Sequence, residues 1–325
     1  MTLFTPTPQE ISELVRQVFP KARVVSSETM PGQAGYLQFR LQLDNLIDTT
    51  LKIYAHDESA TKEVRLLRMV TNETGVPVPR VLHFAEAGQG QGEHSDRSLP
   101  WALFARLPGH PLSDLSGTLD AWESESVGYE VGRYLGHIHQ IPLDEFGALF
   151  APSPHNHWSE KGYVLSQIAE WLEDCATEEL LVQEPQEAIR QAFAETELLD
   201  RRRACLVHGD LVPANITVEQ GATGYHVTGI TGFSRAMGGS PELDIGWLFA
   251  QQAQHAPSFR KGFLDGYTEA GELGARFWDR LALYQVFACV DALLLAHRQQ
   301  QIERVQQYRT QVNDYLGEIA RHQQE

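Results

Sequence analysis

The sequence predicts an α+β chain in two parts, a small antiparallel-sheet region followed by a larger, mainly helical one. Two observations carry that expectation. Strand-like runs cluster before residue 107, whereas long helical patterns dominate after Pro108-Gly109-His110-Pro111. In addition, 325 residues with 42% hydrophobic and 9% aromatic content are enough to bury a large core, in two domains of ordinary size or one large one. The boundary falls near residues 105–109, giving an N-terminal part over 1–105 and a C-terminal part over 106–325.

Apolar residues from Thr7 to Val18 recur at helical spacing after a Thr-Pro start, which predicts a short first helix. Pro31-Gly32-Gln33-Ala34-Gly35 is a glycine-flanked bend. Tyr36–Leu43 and Thr49–Tyr54 then read as two strands joined by a polar turn. From Ser59 to Thr74 the period becomes helical, with Val64, Leu66, Leu67, Met69 and Val70 on the buried face. It ends at Gly75 and the punctuation Val76-Pro77-Val78-Pro79.

Two further extended runs, Arg80–Ala85 and Trp101–Leu107, flank a polar, glycine-rich surface loop over Gly88–Leu99. Beyond it the spacing predicts helices over Glu123–His139, Ser159–Cys175 and Glu187–Leu199. A strand and loop region runs from Arg201 to about Asp244. Helices over Trp247–Ala256, Ser258–Ala270, Ala275–Ala296 and from about Gln299 onward complete the chain. In the last of these, Ile302, Val305, Val312, Leu316 and Ile319 form a stripe that packs on the helical part.

Lys and Arg total 26 against 43 Asp and Glu, a formal net charge of −17. Such a surface repels nucleic acid and anionic membrane faces, and its acidic patches suit a cationic small molecule. The three cysteines, Cys175, Cys205 and Cys289, lie far apart and suggest neither a disulfide framework nor a zinc site. The N-terminus lacks a basic start and an apolar stretch, and Leu281–Ala296, interrupted by Asp291, is read as too short to span a bilayer. A soluble, cytoplasmic protein is the expectation; oligomeric state is left open.

The chemistry concentrates in residues 206–216, LVHGDLVPANI, an apolar strand running into His208-Gly209-Asp210 with Asn215 five positions after the aspartate. Phosphoryl transfer needs a carboxylate to orient the attacking hydroxyl and an oxygen ligand for the metal that neutralises the phosphates. An Asp and an Asn on one loop supply both residue types. Capping or turn roles are the alternative for each. A strand, turn and strand follow, ending at Thr231-Gly232-Phe233-Ser234. Upstream, Lys52 interrupts an apolar strand and calls for an anionic partner, unless it lies on a solvated edge.

These residues resemble the aminoglycoside phosphotransferase and choline kinase family, small-molecule kinases with a bilobal protein-kinase-like fold. The resemblance rests on the H-G-D-x-x-x-x-N loop with its preceding strand and following hairpin, and on Pro241-Glu242-Leu243-Asp244, similar to the family's Asp-Pro-x-x-Asp segment. Leu107–Leu112, Leu135–His139 and Phe263–Tyr267 extend it over most of the chain. It implies a small sheet-bearing N-lobe and a larger helical C-lobe, with Lys52 and Asp210 facing one cleft. Asp210 would be the catalytic base, Asn215 a metal ligand and Asp244 a brace for the loop. Lys52 would hold the phosphates of ATP, paired with Glu63, and the Phe104-Ala105-Arg106 segment would meet the adenine. His137 and His139 are read as packing or helix-cap residues.

The pattern departs from the family at one consequential place. Where the family carries the aspartate that is its principal Mg2+ ligand, this sequence has Gly232, with Phe233 in the following aromatic slot. Val212 and Ala214 also replace the commoner His and Gly. Glu242 is considered as a carboxylate that reaches in as a substitute. Two functions are carried forward: an ATP-dependent kinase for a hydroxyl of a small molecule with weakened metal binding, and a pseudokinase that binds a nucleotide or small ligand without turnover. The acidic residues Glu170, Glu173 and Asp174 suit a cationic substrate or form a solvated helix face. An aminoglycoside, a macrolide, choline and a sugar all remain open.

Overall fold

Thr7 opens the first helix, α1 (Pro8–Val18), through a capping box: its hydroxyl accepts the Glu10 N–H while the Glu10 carboxylate accepts the Thr7 N–H at 2.7 Å. The computed structural model describes residues 5–30, 35–44, 47–88, 99–115, 117–150, 156–201, 203–251 and 257–322. The predicted bend at Gly32 and residues 89–98 of the Gly88–Leu99 loop lie outside the described residues, as do 252–256 of the helix expected over Trp247–Ala256. The chain divides into two compact units. The first holds Met1–His110 with Thr228–Ser234, and the second holds Pro111–Val227 with Arg235–Glu325.

The first unit is built on an antiparallel sheet of order β1-β2-β3-β5-β4, comprising β1 (Val24–Met30), β2 (Tyr36–Leu43), β3 (Asp48–Tyr54), β4 (Val81–Ala85) and β5 (Trp101–Ala105). Along β2, Phe39, Leu41 and Leu43 alternate inward and join Leu51, Ile53 and Leu103 in a core closed by Ile11 and Val15 of α1. The sequence reading passed over β1. Its central residues are all exposed, so an edge strand paired only to β2 shows no apolar alternation to read. Helix α2 (Asp57–Thr74) buries Ala60, Val64, Leu66, Leu67 and Val70 and stops at Gly75, whose φ of 67° is the left-handed cap a glycine adopts freely.

The second unit is mainly helical. Its helices are α3 (Ala121–Ile138), α4 (Glu160–Thr177), α5 (Gln183–Glu195), α6 (Pro241–Gln251), α7 (Pro257–Ala270), α8 (Phe277–Arg298) and α9 (Ile302–His322). They enclose a four-stranded sheet of order β7-β9-β12-β8, of which β9 (Ala204–Val207) and β12 (Met237–Gly239) are antiparallel neighbours. The outer strands are β7 (Pro142–Leu143) and β8 (Gly147–Ala148), and β6 (His110–Pro111) is a two-residue strand at the division between the units. The hairpin strands are β10 (Ile216–Gly221) and β11 (Gly224–Ile230); from Thr228 onward β11 counts with the first unit.

Two helix positions differ from the sequence reading. Helix α5 starts four residues earlier than expected and ends at Glu195, because Leu199 belongs to the core without belonging to the helix. Helix α6 starts at Pro241, not Trp247, which puts Asp244 in its first turn. The length argument about the apolar stretch also needs correcting. Helix α8 runs 22 residues and is long and apolar enough to cross a membrane, yet 83% of its apolar window is buried inside the protein, the signature of a core helix.

One packing feature positions the residues discussed below. Gly128, Gly132 and Gly136 of α3 lie against the backbone of α7 at Phe259, Phe263 and Tyr267, while Gly262 and Gly266 of α7 lie against the α3 backbone at Glu125 and Tyr129, so the two backbones touch. A Cβ at Gly132 would overlap the Phe263 carbonyl oxygen, and one at Gly266 the Tyr129 carbonyl oxygen. Only glycine permits that approach, and it brings the end of α3 against Tyr267.

Candidate active site

The loop expected to carry the chemistry leaves β9 at Val207. His208 and Gly209 follow, and both of their N–H groups donate to a single carboxylate, Asp244, at 2.6 and 2.8 Å. Gly209 has a φ of 73°, and a Cβ there would overlap the Arg235 carbonyl oxygen, so the turn admits glycine alone. Asp210 comes next; its N–H meets His208 Nδ1 at 3.2 Å. The Asn215 side-chain amide donates to the Asp210 carbonyl oxygen at 2.8 Å and to Asp210 Oδ2 at 3.1 Å, closing the loop on itself. Two residues singled out from sequence are therefore in direct contact.

Asp244 is wholly buried and accepts a third bond, from His139 Nε2 at 3.0 Å. A carboxylate can only accept, so His139 carries its hydrogen on Nε2, and in the neutral ring Nδ1 accepts from the Tyr267 hydroxyl 2.9 Å away. Burial alone would raise Asp244, but the bonds from His139 and His208 outweigh it and hold the carboxyl below its ordinary range. His139 does cap α3, as expected; its larger part in bracing Asp244 was not legible, because the partner is 105 residues away.

Asp210 behaves in the opposite sense. Burial pushes its carboxyl up; His208, the Arg235 guanidinium and the Asn215 bond oppose the rise, and Asp291 adds to it. Arg235 is ion-paired with Asp291 of α8 and lies over the Trp247 ring at 5.6 Å. Neither Arg235 nor Asp291 was singled out from sequence; no local spacing connects β12's approach with the middle of α8.

Glu242 is not available as a substitute ligand. It is buried between Arg280 Nε at 2.9 Å and Arg201 Nη2 at 2.8 Å, and these guanidinium groups lower its carboxyl against the burial that would raise it. Arg280 also reaches Glu160 at 2.5 Å, and Glu160 accepts the Tyr284 hydroxyl at 2.8 Å. The segment thus belongs to a buried ionic network joining α4, α6 and α8. On the outer side of α4, Glu170 and Glu173 are exposed and Asp174 pairs with Arg298 at 2.9 Å.

In the first unit, Lys52 Nζ lies 2.6 Å from Glu63 Oε1, with both side chains nearly buried. Tyr54 donates its hydroxyl to Glu63 Oε2 at 2.9 Å, and burial together with that carboxylate raises the phenol well above its usual range. The Lys52 ammonium also faces the Tyr36 ring at 4.6 Å and the Phe104 ring at 5.9 Å. The backbone N–H groups of Ala105 and Arg106 already donate to Arg80 and Asp48 carbonyls, at 2.8 and 3.1 Å.

The segment after β11 is pinned to the same unit. Ile230 N–H donates to the Pro77 carbonyl at 3.0 Å, Phe233 is fully buried, and Lys62 of α2 donates to the Ser234 carbonyl at 3.1 Å. Gly232 sits within this turn at a φ of 84°. Among the described residues, no group of three or more His, Cys, Asp or Glu side chains could hold a metal ion. Asp210 and Asn215 together supply one carboxylate and one side-chain amide on this loop; Mg2+ at a nucleotide ordinarily takes one or two carboxylates and completes its shell with phosphate oxygens and water.

Residues 29–284 match the phosphotransferase enzyme family. Among solved structures, the GDP complex of wild-type aminoglycoside 2'-phosphotransferase-IIIa is similar at 16% identity and a TM-score of 0.69, covering 96% of this chain and 99% of that one. A putative fructosamine-3-kinase from Thermobifida fusca is similar at 16% identity and a TM-score of 0.65, covering 93% and 99%. The macrolide 2'-phosphotransferase MphH from Brachybacterium faecium is similar at 16% identity and a TM-score of 0.62, covering 94% and 97%. These likenesses show a protein-kinase-like α+β fold, with an N-terminal antiparallel sheet and a mainly helical remainder.

Proposed function

Since the chain belongs to the phosphotransferase enzyme family, we propose that it transfers the γ-phosphoryl group of ATP to a hydroxyl of a small, hydroxylated and cationic molecule in the cytoplasm. The observation that carries this reading is Asp210, presented on a turn that Asp244 and Asn215 hold from both sides. The substrate hydroxyl oxygen attacks the γ-phosphorus, the bond to the β-bridging oxygen breaks, and ADP leaves. Asp210 accepts the hydroxyl proton and orients the oxygen beforehand.

Lys52, oriented by Glu63 and the two rings, serves the phosphate chain. The segment over Phe104 and Arg106 serves the base; because its N–H groups at Ala105 and Arg106 are committed, those two residues would meet the adenine through carbonyl oxygens. The net charge of −17 favours a cationic acceptor. Aminoglycosides, macrolides and fructosamines, the substrates in the names of the similar structures, are the first classes to assay. Nucleotide preference is tested alongside, because three of the similar aminoglycoside phosphotransferase structures are GDP complexes.

Gly232 favours a second reading, a pseudokinase that keeps nucleotide binding without turnover. The decisive assay is phosphoryl transfer from radiolabelled ATP or GTP to a panel of these acceptors and to water, with Asp210→Asn as control. Transfer lost in the control supports the kinase. Nucleotide binding without transfer to any acceptor or to water sinks it in favour of the pseudokinase.

A further inference from the structure

Lys52 and Tyr54 are two residues apart on β3, so the pleat sends both side chains to one face of the sheet while Leu51 and Ile53 enter the core on the other. On that face both meet Glu63 of α2, and they divide its carboxylate. Lys52 Nζ donates to Oε1 at 2.6 Å and the Tyr54 hydroxyl donates to Oε2 at 2.9 Å. Tyr54 is buried, and Tyr36, its direct partner in the β2–β3 register, has its ring centroid 6.0 Å from that of Tyr54. Burial and the Glu63 charge raise the Tyr54 phenol well above its usual range, so it stays a neutral donor at any physiological pH.

A phenylalanine would fill the same space, so packing alone does not call for the hydroxyl. We propose that Tyr54 is a positioning residue for the phosphate-binding lysine: by occupying Glu63 Oε2 it confines Lys52 to the other oxygen and keeps the ammonium's remaining N–H groups for a nucleotide phosphate. The inference rests on the nucleotide-binding reading above. An ammonium has three donors, and a carboxylate has two acceptor oxygens. With Oε2 unclaimed, Lys52 would bridge both oxygens, since a buried acceptor left unsatisfied is costly. A bridging lysine has one N–H left and is drawn towards α2. With Oε2 held by a neutral hydroxyl, one N–H serves Glu63 and two remain. Beyond Glu63 the ammonium meets the ring faces of Tyr36 and Phe104, and a charge-assisted bond to phosphate is stronger than either contact. If the hydroxyl only satisfied a buried carboxylate, its loss would lower the thermal midpoint and leave the preference for phosphate untouched.

The test measures binding of ATP and adenosine, and of GTP and guanosine, by titration calorimetry on the full chain, below the thermal midpoint of every variant. Tyr54→Phe should weaken the triphosphate that the wild type binds by about tenfold, the loss of one charge-assisted bond, and leave the matching nucleoside unchanged. Added to Glu63→Gln, the same substitution should alter triphosphate affinity by less than about twofold, because the hydroxyl acts through the carboxylate. Triphosphate affinity that Tyr54→Phe leaves unaltered, or that falls in step with the nucleoside's, overturns this inference while nucleotide binding stands. So does a loss as large in the Glu63→Gln background as in the wild type. No binding of any of the four compounds by the wild type overturns the nucleotide reading itself, and this inference with it.

Discussion

The Asp244 carboxylate accepts the His208 N–H at 2.6 Å across 36 residues of chain, and by that bond a helix start fixes the loop that presents Asp210. The same carboxylate takes Gly209 and His139, so its charge is shared among three donors in a fully buried site. Removing it would leave three donors without an acceptor, which is the costly direction of change.

Asp244→Asn should therefore destabilise the protein by about 3–5 kcal/mol, read as a lowered thermal midpoint. Its folded-state carboxyl lies below the unfolded value of about 3.9, so the stabilisation is present above about pH 4 and is lost as pH falls through the folded value. The variant should show a flatter acid limb in midpoint against pH. An unaltered acid limb would contradict the role given to this residue.

Asp210→Asn should behave differently. A raised carboxyl contributes stability below about pH 4 and loses it as pH rises through the higher folded value, so at neutral pH the buried charge is a cost. The variant should keep or raise the thermal midpoint at pH 7 while any phosphoryl transfer falls by about 100-fold or more. A marked loss of stability would mean that Asp210 is a structural acceptor.

Lys52→Met leaves Glu63 with only the Tyr54 hydroxyl in a nearly buried site. It should lower the midpoint by the equivalent of about 3 kcal/mol and abolish the thermal shift produced by ATP. Restoring part of the stability with Lys52→Met/Glu63→Gln, but none of the ATP shift, would separate the ion pair's structural contribution from its ligand-binding one.

Arg280→Leu leaves Glu242 with Arg201 as its sole guanidinium and Glu160 with none, only neutral donors such as the Tyr284 hydroxyl, in sites essentially inaccessible to water. The expected loss is about 3–5 kcal/mol, seen by calorimetry as early unfolding of the helical unit. Little change would mean that Arg201 alone compensates both carboxylates.

In the α3–α7 pair, Gly132→Ala would force a methyl group onto the Phe263 carbonyl. Overpacking of this kind costs about 1–3 kcal/mol, and the variant should also disturb the bond between His139 and Tyr267. Nuclear magnetic resonance of the His139 ring nitrogens checks it; an unchanged tautomer and midpoint would show that the helices separate freely.

Much of the fold was legible before any coordinates. Strand β2 and the start and end of α1 fell where alternation and a Thr-Pro cap put them, and Gly75 ended α2. Those are local rules, satisfied within a few residues. The exposed strand β1 escaped because it carries no apolar pattern, and α6 was placed late because a proline start precedes its periodic residues.

The amino-acid order alone settled the residue types and spacing of the His208–Asn215 loop, the glycine at position 232 and the large acidic charge, because each is a property of neighbours along the chain. The folded chain decided who meets whom: His139 with Asp244, Arg280 with Glu160, Arg235 with Asp291, Lys62 with Ser234, the last pair 172 residues apart. Buried charges take whichever counter-charge or donor the packing of helices delivers, and that delivery depends on backbone approach, such as the glycine contact of α3 and α7, which no local pattern encodes.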